Sequence, residues 1–357
     1  MNLELTPEQL ALRDTVREFL SEKASIGAHV RPMLDDPAGT TDEIWRGLAG
    51  LGTTGLLVPV EHRGEGMSMV EAAIVCEELG AALHPGPWLS SAVAAPRALT
   101  RFGAGPEPFS GLADGSMVAA VALPRSGSIT VDDEGVLRGV LEMVPDAAAA
   151  QTLFIPVGEE RPVLVAVPTS APGVGRAEIH GIDQSRKFFR VSLDDVAGTV
   201  VATATREALE SLRDDMIVAW AADAVGAARQ VLGMTVEYAK VRRQFGAPIG
   251  SFQAVAHLCA DMYETVELAR SGVQYAVWAA DCADAAERHL AALRVKAFAG
   301  QLVGVGDKAI QVFGGIGFTW EHDAQLYLKR LLSFSRFLGS PADYLRQVGD
   351  QLVRSAR

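Results

Sequence analysis

The hydrophobic periodicity of this chain changes twice along its length, and that change limits the folds it can adopt. Up to about Ser116 apolar residues recur at helical spacing, starting where Thr6 caps a segment that has Pro7 at its first position. The middle of the chain instead carries short β-branched or aromatic runs, bounded by Gly, Pro and Asp. Long helical stripes then return. The sequence therefore predicts an α+β protein with domains at 1–116 (helical), 117–202 (small β domain) and 203–357 (helical bundle).

Individual elements follow from the same periodicities. The helical part predicts helices around Trp45–Leu51, Met69–Leu83 and Trp88–Phe102. The middle part predicts strands at Val118–Leu123, Thr152–Val157, Val163–Val167 and Phe188–Leu193.

Composition and charge exclude several classes of function. The chain has 357 residues and a net charge of −12, which opposes binding to nucleic acid or an anionic membrane. It has no run of eighteen uncharged apolar residues and no basic, apolar leader, so we expect a cytoplasmic protein. Its three cysteines are too widely spaced for a disulfide framework or a metal site, and we interpret them as buried thiols.

The first functional motif runs from Val241 to Gln253. Arg242 offers a cation that can contact a pyrophosphate, Gln244 and Gln253 offer amides, and Phe245 offers an aromatic face. For the arginine alone, a solvated helix terminus is the simpler explanation, because cations stabilise the carboxyl end of a helix. The whole combination in so short a run favours a ligand that has both a pyrophosphate and a flat ring.

The second motif is Gln311-Val312-Phe313-Gly314-Gly315-Ile316-Gly317-Phe318. A helix that ends on a left-handed glycine would explain one of these glycines. The second glycine, with Gln311 one turn upstream, indicates a backbone held close to an extended ligand. We therefore predict that Gln311, Gly314 and Gly315 bind the same cofactor as the first motif.

Both motifs resemble the FAD-binding motifs of the acyl-CoA dehydrogenase family. The similarity extends over nearly the whole chain, because the helix–sheet–helix order and the stretches Gly52–Pro59 and Glu77–Gly80 also resemble that family. The segment Gly314–Asp323 further resembles an actinobacterial branch that includes subunits of heteromeric dehydrogenases acting on steroid-side-chain thioesters.

This resemblance implies a cofactor, a substrate and partners. It implies FAD, with Arg242, Gln244, Phe245 and Gln253 on its pyrophosphate and adenine side, and Gln311, Gly314 and Gly315 reaching it across a subunit interface. It also implies an acyl-CoA substrate that undergoes α,β-desaturation, an electron-transfer acceptor, and assembly with a homologous subunit or with copies of the same chain.

The catalytic base that the family needs is missing from both of its usual positions. By resemblance, those positions fall on Leu338, just before Gly339, and on Met216, and neither side chain can accept a proton. Asp215 is the remaining candidate, but one residue of displacement on a helix turns a side chain by about 100°. We therefore expect Asp215, like Asp214 and Glu210, to lie on a solvated helix face.

The flavin-ring stretch of the family is also incomplete here. The corresponding residues, 122–128, keep a proline and a Gly-Ser pair but lose the threonine and the acidic residue. Three hypotheses remain: a subunit that completes the FAD site of a partner chain, a self-sufficient enzyme that uses Asp215 as its base, and a flavin-free scaffold. We favour the first of these.

Overall fold

The protein begins with a helical region whose first helix is fixed by local capping. We analysed a computed structural model, which describes residues 4–132 and 134–355. The Thr6 hydroxyl accepts from Gln9 N and the Gln9 amide oxygen accepts from Thr6 N, which together form a capping box. The α-helices of this region are α1 (Pro7–Lys23), α2 (Asp42–Gly50), α3 (Met69–Ala81) and α4 (Ala95–Phe102).

Short helical turns connect these four helices. They are π-helical at Ile26–Val30 and Leu89–Ala94, and 3-10 at Pro32–Leu34, Thr53–Gly55, Val60–His62 and Glu107–Phe109. The predicted helix at 88–102 is therefore two segments, because a π-helical turn precedes Ala95 and Pro96 then starts the regular α-helix.

The central region forms two four-stranded sheets. The strands are β1 (Ala119–Val121), β2 (Ile129–Val131), β3 (Val136–Pro145), β4 (Thr152–Val157), β5 (Val163–Pro168), β6 (Val174–Ile179), β7 (Phe188–Ala197) and β8 (Thr199–Thr203). One sheet has the order β1-β4-β5-β8, with β1 and β4 parallel, and the other has the order β2-β3-β7-β6. We propose the predicted limits at 116/117 and 202/203 as domain boundaries; they fall before β1 and at the end of β8.

Three strands of the first sheet, β1, β4 and β5, are largely buried on both faces. Along β1, Ala119 and Val121 join the core shared with the helices, whereas Ala120 packs into the core between the two sheets. Burial on both faces explains why β4 and β5 read as continuous apolar runs that the sequence could identify. The missed strands, β2, β3, β6 and β8, carry exposed or polar positions that weaken this signal.

The last region is a helical bundle built on one long helix. Its α-helices are α5 (Arg206–Val241), α6 (Gln253–Cys282), α7 (Ala285–Phe313), α8 (Ala324–Arg336) and α9 (Pro341–Ser355). Helix α5 packs against both α7 and α3, and it therefore joins the bundle to the first helical region. The predicted α+β, helix–sheet–helix fold is confirmed. The cysteine prediction holds for Cys76 alone, since Cys259 is half-buried and Cys282 is exposed.

One buried guanidinium ties these regions together. Arg330 on α8 is 1% exposed, and it pairs with Asp183 in the β6–β7 loop at 3.0 Å and with Asp223 on α5 at 3.0 Å. It also donates to the carbonyls of Leu83 and His84, just after α3, at 3.1 and 3.2 Å. A buried cation needs this full set of partners, because an unpaired charge in the interior is costly.

We expect Arg330→Gln to lower the free energy of unfolding by about 3–5 kcal/mol, because two buried carboxylates lose their main cation. The measurement is urea unfolding followed by circular dichroism. Arg46→Gln is the control, since the Arg46–Asp42 pair is 79% and 91% exposed, and it should change stability by at most about 0.5 kcal/mol. Equal effects of the two substitutions would contradict the central role of Arg330.

Candidate functional site

The first motif forms a short hairpin that projects from the end of α5. Strands β9 (Arg243–Gln244) and β10 (Ala247–Pro248) pair in antiparallel fashion around a two-residue turn. Phe245 and Gly246 fill that turn with φ of 50° and 81°, the signs that a type I′ turn requires. Phe245 is 95% exposed. A bulky residue held in a left-handed conformation and presented to the outside is typical of a binding element.

The polar residues of this motif surround the hairpin. Arg242 directly follows α5, as predicted, and its carbonyl accepts from Ile249 N at 2.8 Å. Gln244 lies on the hairpin and Gln253 is the first residue of α6; both are exposed, as is Arg242. Arg242 has no ion-pair partner within 4–132 and 134–355. A cation, two amides and an aromatic ring are therefore presented together at one end of the bundle.

The second motif ends helix α7, where each of its glycines has a different environment. Gly314 has φ 66° and follows the last helical residue, so termination of the helix accounts for it. Gly315 has no positive φ, and an added Cβ would meet nothing within 4 Å. Neither backbone conformation nor packing against the described residues therefore requires glycine at 315. Gln311 lies in the last turn of α7 and is exposed.

A ring contact links the two motifs. Tyr238, one turn before Arg242, packs on Phe313 with ring centroids 4.9 Å apart. The carboxyl ends of α5 and α7 and the amino end of α6 therefore lie at the same end of the bundle. Phe318 and Trp320 follow the second motif and are 73% and 56% exposed. This end of the bundle presents both motifs and an exposed aromatic surface.

A large cleft opens at the other end of α5, between the β region and the bundle. Its volume is about 1220 Å³, and its walls include the start of α5, the stretch 123–127 and the loop 336–339. Met216 and Leu338 both line this cleft although they are far apart in sequence. The fold thus brings the two positions that should carry a base into one space, and both are apolar.

The loop that carries Leu338 is firmly held. Leu338 has φ 55° and Gly339 has φ 124°, and the Tyr344 hydroxyl donates to the Leu338 carbonyl at 2.7 Å. The Phe337 ring stacks on Trp220 of α5 at 4.8 Å. A strained backbone persists only where its surroundings enforce it. The backbone geometry at Leu338 and Gly339 is therefore fixed, although the side chain at 338 cannot accept a proton.

Unpaired arginines give the cleft a positive character that the whole protein lacks. Among the residues that the structure describes, four cleft-lining arginines have no ion-pair partner: Arg125, Arg161, Arg213 and Arg336. Of the three cleft-lining carboxylates that the structure describes, Glu142 pairs with Arg190 and Glu210 pairs with Arg206, whereas Glu159 has no ion-pair partner. In a chain of net charge −12, free guanidiniums in a cleft favour an anionic ligand.

Asp215 does not lie on a solvated face, and that part of the sequence prediction is wrong. It is 1% exposed and accepts paired hydrogen bonds from Arg97 and Arg101 of α4, at 2.8–3.1 Å. Burial alone would raise the pKa of Asp215, but the two guanidiniums outweigh burial and hold that pKa below its usual value. Asp215 is therefore an ion-paired structural carboxylate outside the cleft lining, whereas its neighbour Met216 lines the cleft.

Asp214 is also buried, contrary to the prediction, whereas Glu210 is exposed as expected. The Asp214 carboxylate lies 3.0 Å from His289 Nδ1. Burial raises the pKa of Asp214 to about 6, although the contact with His289 opposes the shift. Sequence reasoning missed these partners because α4 and α7 are far from Asp214 and Asp215 along the chain. The short-range signal that existed was the pair Arg97 and Arg101, which share one helix face at i,i+4 spacing.

The stretch that corresponds to the family's flavin-ring motif lies along this cleft. Leu123, Pro124 and Gly127 line it, and Ser128 follows directly. The Ser128 hydroxyl is buried and has no hydrogen-bond partner within the described residues. A buried hydroxyl normally has a partner, so this one is available to a bound group. The stretch therefore keeps two hydroxyls, those of Ser126 and Ser128, where the threonine and the acidic residue are lost.

Two family models match this chain. Residues 6–105 match the acyl-CoA dehydrogenase N-terminal domain, and residues 211–352 match the acyl-CoA dehydrogenase C-terminal domain. No helix within 4–132 and 134–355 has the length and hydropathy of a membrane-spanning segment.

Curated relatives and solved structures extend this similarity. Acyl-CoA dehydrogenase FadE34 of Mycobacterium tuberculosis is 35% identical over 96% of this chain, which spans 48% of that longer protein. Acyl-CoA dehydrogenase IpdE2 of Mycolicibacterium smegmatis is 33% identical over 96% of this chain and 98% of its own length. The Tcur3481-Tcur3483 steroid ACAD is 28% identical, with a TM-score of 0.89 over 98% of both chains.

We expect Asp215→Asn to destabilise the fold by about 3–5 kcal/mol while leaving turnover of the folded protein nearly unchanged, because it breaks a buried ion pair outside the cleft. The lowered pKa of Asp215 means that its contribution to stability is present above the unfolded value near 3.8 and is lost as the pH falls through the folded value. Urea unfolding and a dye-reduction assay with acyl-CoA measure the two effects. A fall in turnover of about a thousandfold, with cofactor retained, would make Asp215 the base.

Proposed function

This chain belongs to the acyl-CoA dehydrogenase family, and from that premise we propose that it takes part in FAD-dependent α,β-desaturation of an acyl-CoA thioester. In this proposal it acts as a subunit that completes the FAD site of a homologous partner chain. Bound FAD supplies the hydride acceptor, because the cofactor carries the redox chemistry in such enzymes.

This proposal rests on the distance along α5 between the cleft and the first motif. Met216 lines the cleft and Arg242 follows the end of the helix, 26 positions later. At 1.5 Å per residue, about 39 Å of helix separates them. A dinucleotide whose ring lies in one chain's cleft would not extend that far. The motifs of this chain therefore serve a cleft on another chain, and its own cleft would need motifs from a partner.

The exposed residues at the motif end suit the non-reacting part of FAD. Arg242 would pair with the pyrophosphate, Gln244 and Gln253 would donate amide hydrogen bonds, and Phe245 would provide an apolar face. The exposed Gln311 and the open backbone at Gly314 and Gly315 would serve the same purpose from the second motif. The open space at Gly315 supports this assignment, since none of the residues that the structure describes requires a glycine there.

The cleft of this chain lacks a proton acceptor at the two positions where the family places one. Desaturation requires a base that removes an α-proton, held in a dry pocket with a raised pKa. Met216 and Leu338 cannot do this, and Asp215 is ion-paired behind the cleft. We therefore assign the base to the partner chain. The self-sufficient alternative would need a different carboxylate, and the described carboxylates that line this cleft, Glu142, Glu159 and Glu210, stand at neither of the two base positions.

The proposed substrate and partners are based on the charge of the cleft and on the similarity to known proteins. Four unpaired arginines would bind the phosphates of CoA, which is the most highly charged part of such a thioester. The similarity to acyl-CoA dehydrogenase IpdE2 supports an acyl-CoA substrate, and the similarity to the Tcur3481-Tcur3483 steroid ACAD, whose name joins two designations, supports a steroid-derived acyl group. We propose a heteromer of this kind, with an electron-transfer acceptor that reoxidises the flavin and with a cytoplasmic location.

The subunit proposal is tested by expressing the chain alone and together with a homologous dehydrogenase whose gene lies next to its own. We expect a colourless protein alone and a yellow, active complex with the partner, because each chain lacks part of a complete site. The measurements are the visible absorption spectrum and acyl-CoA-dependent dye reduction. A yellow and active chain alone would establish the self-sufficient enzyme, and a complex that stays colourless would establish the flavin-free scaffold.

We expect Arg242→Ala to weaken FAD binding in that complex by roughly ten- to a hundredfold, because it removes a charge-assisted contact worth about 1.5–3 kcal/mol. Flavin content and flavin fluorescence after gel filtration measure this. Arg346→Ala is the matched control, since Arg346 is 76% exposed on α9 and pairs with Asp343 three residues away. If both variants retain equal amounts of flavin, the assignment of the first motif is wrong.

A further inference from the structure

Behind Phe337, which lines the cleft, lies a buried tryptophan whose indole N–H has no acceptor among the described residues. Trp220 lies one helical turn beyond Met216 on α5, so the two side chains share a face of the helix. The Trp220 ring stacks on Phe337, which lines the cleft, at 4.8 Å and 11°. Phe337 also contacts Phe188 of β7 at 6.2 Å. Trp220 is therefore separated from the cleft by a single aromatic ring.

The other buried tryptophans show what this one lacks. Trp45 Nε1 donates to the Gly115 carbonyl at 2.7 Å, and Trp88 Nε1 donates to the Thr53 hydroxyl at 3.0 Å. Trp220 is 4% exposed, yet its Nε1 has no hydrogen-bond partner within 4–132 and 134–355. Buried indole N–H groups normally find an acceptor. The described residues therefore provide no acceptor for this donor, and a bound molecule could supply one.

We propose that Trp220 Nε1 donates a hydrogen bond to a ketone oxygen that the acyl group carries in addition to its thioester carbonyl, when a CoA thioester enters this cleft. The inference rests on the proposed function, because it requires an acyl thioester in the cleft. The Phe337 ring would turn aside to admit the acyl group, and Met216 would contact its apolar part. The site thereby selects oxygenated acyl groups over hydrocarbon ones, because a site built to donate a hydrogen bond disfavours a ligand that cannot accept it.

Two ligands that differ in one oxygen test this proposal. The probes are cyclohexanecarbonyl-CoA and 4-oxocyclohexanecarbonyl-CoA, with free CoA as the reference, and their dissociation constants are measured by titration calorimetry on the full chain. We expect the oxo thioester to bind roughly tenfold more tightly than the hydrocarbon thioester. In Trp220→Phe the oxo thioester should lose that advantage while the hydrocarbon thioester binds unchanged. Trp278→Phe, on the half-buried face of α6, is the matched control and should keep the preference.

A second measurement needs no variant. In protein labelled with ¹⁵N-tryptophan, one of the five indole resonances should shift on addition of the oxo thioester and should not shift with the hydrocarbon thioester. Equal binding of both thioesters by the wild-type chain, or a preference that survives Trp220→Phe, would overturn the role of Trp220 and leave the proposed function standing. If neither thioester binds more tightly than free CoA, both the inference and the acyl-CoA role of this cleft are wrong.

Discussion

The fold depends on one buried cation that several segments share. Arg330 contacts carboxylates from the β region and from α5, and it also binds two backbone carbonyls after α3. Arg186 adds a second guanidinium on Asp223, so the charges alternate in a compact cluster. Apolar packing has no directional preference, whereas this cluster requires a defined geometry from each of its contributors. It therefore fixes how the sheets and the bundle meet, and the cleft lies between those two parts.

Helix α5 connects the cleft at its amino end to the first motif at its carboxyl end. Its first turns form a wall of the cleft, and the hairpin that presents Phe245 follows its last turn. Because a helix has a fixed rise per residue, its length holds the two ends apart. In the proposed function, this separation lets the motif end of one chain serve the cofactor of another chain. It would also allow the cleft of this chain to lack a base while the motif end keeps its role.

Adjacent residues on α5 show how a helix assigns different roles to its faces. Asp214 pairs with His289 of α7, Asp215 with two arginines of α4, and Met216 lines the cleft. Each step turns the side chain by about 100°, so three neighbours meet three different surroundings. An acid beside the expected base position is therefore a structural ion pair. Its lowered pKa is the opposite of what proton abstraction requires.

The sequence by itself determined what depends on neighbours along the chain. It predicted the capped start of α1, the strands β4 and β5, the end of α5 before Arg242, and the end of α7 before Gly314, because caps, periodicity and turn residues act locally. It also placed an apolar residue at each base position by resemblance.

The tertiary structure decided what depends on distant partners. These features are the burial of Asp215, the meeting of Met216 and Leu338 in one cleft, and, within the described residues, the unpaired arginines there and the unsatisfied N–H of Trp220. Each one arises from contacts between residues far apart in sequence, and periodicity carries no information about which distant side chain or ligand will face a given residue.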